Sequence, residues 1–130
     1  FTTKSEGMAP EKVVELLNLY FNFVSKHVSD EGGIVDNLIG DALVAFFPAE
    51  EKRRTLHATR AVRAAVKVLA GLEEFNHLAR SKGFAEVQVG IGIHTGKATI
   101  GSIGSDHKLN YTAIGDTINV ASRLQGLCKK

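Results

Sequence analysis

This 130-residue chain has one cysteine, Cys128, which excludes an internal disulfide framework and leaves no cysteine pair for a zinc site. Cys128 itself reads as a packing or surface residue, and such sparing use of cysteine fits a reducing, cytoplasmic setting. No apolar run approaches the roughly 20 residues that a membrane helix needs, and the first residues lack a signal-peptide pattern. Neither sign of charge dominates. Sixteen Lys and Arg against fourteen Asp and Glu give a formal +2, too little to argue for nucleic acid or an anionic membrane as partner. Histidines 27, 57, 77, 94 and 107 share no ligand spacing that would hold zinc, and no Cys/His nucleophile arrangement stands out. Internal repeats and low-complexity tracts are absent.

Two nucleotide-binding signatures are also lacking. His94-Thr95-Gly96-Lys97 resembles the end of a phosphate loop, but Ile91 stands where its first glycine belongs and Ala98 where Ser or Thr must ligate magnesium. Gly90-Ile91-Gly92 lacks the third glycine of a dinucleotide fingerprint, because position 95 is Thr. Asn110-Tyr111-Thr112 is a formal glycosylation sequon with nothing else to suggest secretion.

What is present is an ordinary globular composition, 44% hydrophobic and 23% charged, and a length that suits one domain. Residues 1–9 read as a polar loop. Pro10 opens a helix in which Val13, Val14, Leu16, Leu17, Tyr20, Phe21, Val24 and Val28 recur at three- and four-residue spacing, before Gly32-Gly33 end it. A second helical pattern runs from about Glu51 to Ser81 through Leu56, Ala61, Val62, Ala65, Val66, Leu69, Leu72, Phe75 and Leu78, with Gly83 as its cap. Its Arg53, Arg54, Arg60, Arg63 and Lys67 read as a solvated face. Val87, Val89, Ile91 and Ile93 alternate with Gln88, Gly90, Gly92 and His94, the period of a strand. The two glycines share the opposite face, where something must approach the backbone closely. Ala98 to Gly101 reads as a further strand, Gly101 to Lys108 as a polar loop, Asn110 to Ile114 as extended, and Asp116 to Leu127 as a final helix. The order gives an α/β pattern with local antiparallel pairing.

Ile34 to Phe47, IVDNLIGDALVAFF, reads as a tight β-hairpin turning at Gly40-Asp41. Asp41 has two readings on residues alone: a turn aspartate that bonds its own backbone, or a metal carboxylate fixed by a stiff hairpin. In the final helix, Asn119 and Arg123 are four apart and share a face, offering a hydrogen-bond donor and a permanent cation that suit a phosphate. A solvated helix face would look the same.

Taken together, FTTKSE, the helix VVELLNLYF, GGIVDNLIGDALVAFF, VGIGIHTGKA and YTAIGDTINVASRLQ resemble, in order and spacing, the catalytic domain of class III nucleotidyl cyclases over the whole chain. The resemblance implies a ferredoxin-like βαββαβ α+β sandwich. Here it would be a single catalytic domain, 1–130, cut at both ends, without the first strand and the C-terminal part. It implies a head-to-tail homodimer with composite sites, converting ATP to 3′,5′-cyclic AMP and pyrophosphate with two Mg²⁺ or Mn²⁺ ions per site. Asp41 matches the second metal aspartate, and the first would precede Phe1. Phe1, Thr2 and Thr3 match a turn whose amides cradle phosphate. Lys97 matches a contact to the terminal phosphates, Asn119 the residue that orients the ribose, and Arg123 the cation at the α-phosphate. Without its first aspartate the chain by itself is expected to be inactive. Fused sensor or membrane segments outside it are compatible with the family.

The purine-reading position departs from the pattern. Asn37 stands where typical adenylate cyclases carry Lys and typical guanylate cyclases Glu, and its partner position is Thr112. Thr there, beside Lys, marks a subgroup that includes bicarbonate-responsive members. Asn both donates and accepts, so ATP is expected to be preferred over GTP with reduced discrimination. Two other readings stay open: a guanylate cyclase, and a cyclase-like module that binds nucleotide or dimerises without turnover.

Overall fold

A computed structural model describes residues 9–39, 42–49, 56–105 and 108–128, with the backbone alone for residues 37–39, 102–105 and 108–112. The opening helix, α1, spans Pro10–Asp30 with Pro10 at its first position, as the sequence leads one to expect. Its end is a Schellman motif. Gly32 has φ +77, and the Gly33 and Gly32 amides donate to the carbonyls of Val28 and Ser29 at 2.8 and 2.9 Å. A Cβ on Gly33 would stand 2.5 Å from the Phe47 ring, so this glycine lets the chain turn tightly into the first hairpin.

The hairpin joins β1 (Ile34–Ile39) to β2 (Ala42–Phe46) in antiparallel register, from Ile34 opposite Phe46 to Ile39 opposite Ala42. Gly40 and Asp41, where the turn is expected, lie outside the described residues. The ladder is not regular. Val35 faces Ala45 and Asn37 faces Val44, which makes Asp36 the extra residue of a β-bulge.

The second long helix, α2, spans His57–Ser81 and also ends in a Schellman motif. Gly83 has φ +85, and Phe84 N donates to Ala79 O at 2.9 Å. The expected start near Glu51, with Arg53 and Arg54, falls outside the described residues. The buried face differs from the one that the apolar spacing suggests. Arg60, Ala64, Val68, Phe75, Asn76 and Ala79 point inward, while Val62, Val66, Leu69 and Leu78 are exposed. Two polar residues explain the rotation, because each satisfies backbone groups of another segment. Arg60, 2% exposed and not part of a solvated face, donates to Glu31 O and Gly32 O at 3.4 and 3.3 Å and to Pro48 O at 2.5 Å. Asn76 donates to Val87 O at 3.0 Å and accepts from Val87 N at 2.7 Å.

That second pair lies at the start of the strand expected over Val87–Ile93. Among the described residues this segment has an isolated bridge at Gln88 and no ladder. The carboxamide of Asn76 takes the place of a neighbouring strand at Val87. The alternation reports burial instead of pairing: Val87 is buried, while Val89 and Ile91 pack against the core of Leu16, Tyr20, Val24, Val28, Val68, Phe75, Ala79 and Phe84. Within it the Phe75 ring stacks on Phe23 at 5.0 Å and meets Tyr20 edge-on at 6.0 Å.

A second antiparallel hairpin follows, β3 (Thr99–Ser105) with β4 (Lys108–Ile114), in continuous register from Thr99↔Ile114 to Ser105↔Lys108. The stretch expected as a polar loop therefore belongs to two strands, since Ser102, Ile103 and Gly104 meet Tyr111, Asn110 and Leu109 across the ladder. Gly115, with φ +147, leads into α3 (Asp116–Gly126). The glycines singled out in the extended segment meet this helix: a Cβ on Gly92 would collide with the backbone of Ala121 and Gln125, and one on Gly90 would stand 2.6 Å from Cys128 Cβ. Cys128 is exposed, as expected. Among the described residues no helix is long and apolar enough to cross a membrane.

Candidate functional site

Asn119 and Arg123 lie on one face of α3, four residues apart, and both are exposed. Gly115 opens the helix, and Asp116 in its first turn suits the positive end of the helix dipole. One contact ties this helix to the turn that carries Lys97. Thr117 Oγ1 donates to Lys97 O at 2.6 Å, and Gly96 leaves the space in which Thr117 sits, since a Cβ there would be 2.6 Å from that hydroxyl. Lys97 is exposed, with its backbone held against the first turn of α3, two residues before Asn119. Lys97, Asn119 and Arg123 thus belong to two adjoining segments, and their two cations and one amide are donors that suit a phosphate.

The two positions expected to read the base meet through the backbone. Asn37 lies on β1, opposite Val44, and Thr112 lies on β4, opposite Gly101. Between them, Ala113 N of β4 donates to Asp36 Oδ2 of β1 at 3.1 Å. This bond joins the residue before Asn37 to the residue after Thr112. Asp36, Arg60, Asn76 and Thr117 were not singled out from sequence. Each acts through a backbone group distant along the chain, and only the Gly96–Thr117 fit left a trace, as a glycine.

Phe1, Thr2, Thr3 and Asp41 lie outside the described residues. Among the described residues no group of three His, Cys, Asp or Glu side chains could hold a metal ion. The hairpin still suits a divalent cation in its donor chemistry, because its two-residue connection carries a hard carboxylate oxygen at Asp41.

Beside the first hairpin, Lys67 Nζ pairs with Glu31 Oε1 at 2.6 Å. The hydrogen bond from Lys67 lowers the Glu31 carboxyl below its ordinary value near 4.5; burial opposes it, and the charges of Lys67, Arg63 and Arg60 add to the lowering.

The chain is similar to known proteins along its whole length. The family model for the adenylate and guanylate cyclase catalytic domain matches residues 1–130. Adenylate cyclase 1 of Rhizobium meliloti (strain 1021) is 45% identical over 129 residues, 99% of this chain and 19% of the relative. The terminal-differentiation-specific adenylate cyclase of Dictyostelium discoideum is 38% identical over 130 residues, 100% of this chain and 6% of the relative. The chain therefore spans a fifth or less of these two relatives. In structure it is similar to the guanylyl cyclase Cya2, with a TM-score of 0.86 and 33% identity over 95% of this chain and 62% of that one. Its α+β layout is that of the ferredoxin-like cyclase catalytic domains. The chain belongs to the adenylate and guanylate cyclase catalytic domain family.

Proposed function

We propose that this domain converts ATP to 3′,5′-cyclic AMP and pyrophosphate, at a composite site between two copies arranged head to tail. The observation that supports this reading is the Thr117–Lys97 tether, which holds the backbone of Lys97 against the first turn of α3, the helix that carries Asn119 and Arg123. In this assignment Lys97, with Phe1, Thr2 and Thr3, binds the terminal phosphates, Asn119 orients the ribose, and Arg123 balances charge gathering on the α-phosphate. Asp41 would hold divalent cations, Mg²⁺ or Mn²⁺, which lower the cost of charge at the reacting phosphate. Asn37 and Thr112 read the purine. The reaction takes place on the cytoplasmic side.

The similarity to two proteins named adenylate cyclases supports ATP. The structural similarity to a guanylyl cyclase supports a second reading, turnover of GTP. Exposed Ile100, Ile114, Leu124 and Leu127, on and beside the elements that carry the site, support a partner surface.

Parallel product analysis from ATP and GTP, with the protein at its full natural length and Mg²⁺ or Mn²⁺ supplied, tests the assignment. Cyclic AMP as the main product is expected. Predominant cyclic GMP would move it to the second reading, and no cyclic product from either nucleotide would leave a non-catalytic binding module.

A further inference from the structure

Asp36 has no place in the chemistry assigned above, yet it is built into the fold with unusual care. It is the extra residue of the β1 bulge, so its side chain is turned out of the regular alternation of the hairpin. Its Oδ2 accepts the Ala113 amide of β4, a residue 77 positions away. Its Oδ1 is buried and takes no hydrogen bond from the described residues. A carboxylate with one buried, unpartnered oxygen is a poor device for stability alone, because desolvation offsets much of what a single hydrogen bond contributes. Its position points elsewhere. The bond lies one residue from Asn37 on one strand and one residue from Thr112 on the other, and β1 and β4 belong to different hairpins. Among the described residues it is the hydrogen bond that fixes the register between the two positions.

We infer that Asp36 is a positioning residue for nucleotide selection: by clamping the bulge of β1 to Ala113 of β4 it fixes Asn37 against Thr112, so that the two read one purine edge together. The inference rests on the base-reading roles proposed for Asn37 and Thr112. Base selection needs such a clamp because a neutral amide gives only a directional hydrogen bond, and a displacement of about 1 Å is enough to lose it. A long charged side chain would tolerate more.

The test is a coupling measurement at full natural length. Asn37→Lys is made in the parent and in Asp36→Leu, which keeps side-chain bulk and removes the acceptor; Asp36→Asn, which keeps an acceptor for Ala113 N, serves as the rescue. In the parent, Asn37→Lys is expected to raise the ATP over GTP ratio of kcat/KM by about tenfold, and in Asp36→Leu by less than about twofold, with the gain restored in Asp36→Asn. An equal gain in all three backgrounds overturns the inference, as does no gain in any of them, which would remove Asn37 from base reading. If Asp36→Leu does not fold, Asp36→Ser, too short to reach Ala113, replaces it. Failure of both to fold would assign the bond to the fold and overturn the specificity role. Absence of cyclic product from the parent would instead strike the proposed activity, so the two failures are distinguishable.

Discussion

At the scale of single residues, the site divides into positions that act locally and positions that act across the chain. Asn119 and Arg123 are legible in sequence because a spacing of four fixes a shared helix face wherever the helix packs. Asp41 is proposed as a site residue from its place after Gly40 and its family resemblance. Asp41→Ala is expected to lower turnover by at least about a hundredfold while the thermal midpoint stays within a few degrees of the parent, since a carboxylate in a hairpin connection contributes to the site and little to packing. Circular dichroism melting beside a product assay checks this, and unfolding of the variant would support the turn-aspartate reading. Arg60, Asn76 and Asp36 could not be found in this way. Their partners are 12 to 29, 11 and 77 residues away, and a polar residue with a distant backbone partner looks in sequence like any other polar residue.

Elements were legible where the local chemistry was punctuated. Pro10 and the Gly32-Gly33 and Gly83 caps mark boundaries that the structure keeps. The errors arise where pairing or facing depends on a partner. Thr99–Ser105 is rich in glycine and serine, residues depleted in strands, and becomes a strand because Lys108–Ile114 supplies a ladder. Val87–Ile93 has the strand period and, among the described residues, no ladder; at Val87 the carboxamide of Asn76 pairs with the backbone N–H and C=O. For α2 the apolar count alone favours Val62, Val66 and Leu69, but Arg60 turns the helix by fastening it to the exit of α1 and to Pro48. Both ends of the first hairpin thus hang on one guanidinium. Arg60→Met, which keeps the length and removes the donors, is expected to destabilise the protein by about 2–3 kcal/mol, because three carbonyls lose a partner. Urea unfolding measures this, and a loss below about 0.5 kcal/mol would show that the clamp is dispensable.

For the molecule as a whole, composition correctly bounded the class, and the ordered set of motifs identified the family that the whole-chain match shows. Charge at this scale has one clear consequence for acid stability. Glu31 binds its proton less readily when folded than when unfolded, because Lys67 donates to it. Its contribution is therefore present above about pH 4.5 and is lost as the pH falls through the lower folded value. Lys67→Met should shrink the difference in thermal midpoint between pH 7 and pH 3.5, by a small amount because the pair is partly exposed to solvent. Equal pH dependence in the parent and the variant would show that the pair contributes nothing.

The final helix brings the residue and element scales together. No residue of α3 is buried, and the helix is held where Gly90 and Gly92 let its backbone come close. Such a helix has steric fit without a fully buried apolar anchor, since Ile118 and Val120 are only half-buried. A nucleotide gripped by Asn119 and Arg123 would give α3 a further point of attachment, so substrate would serve this helix much as a core serves α1 and α2. Occupancy and order in α3 would then be two descriptions of one equilibrium.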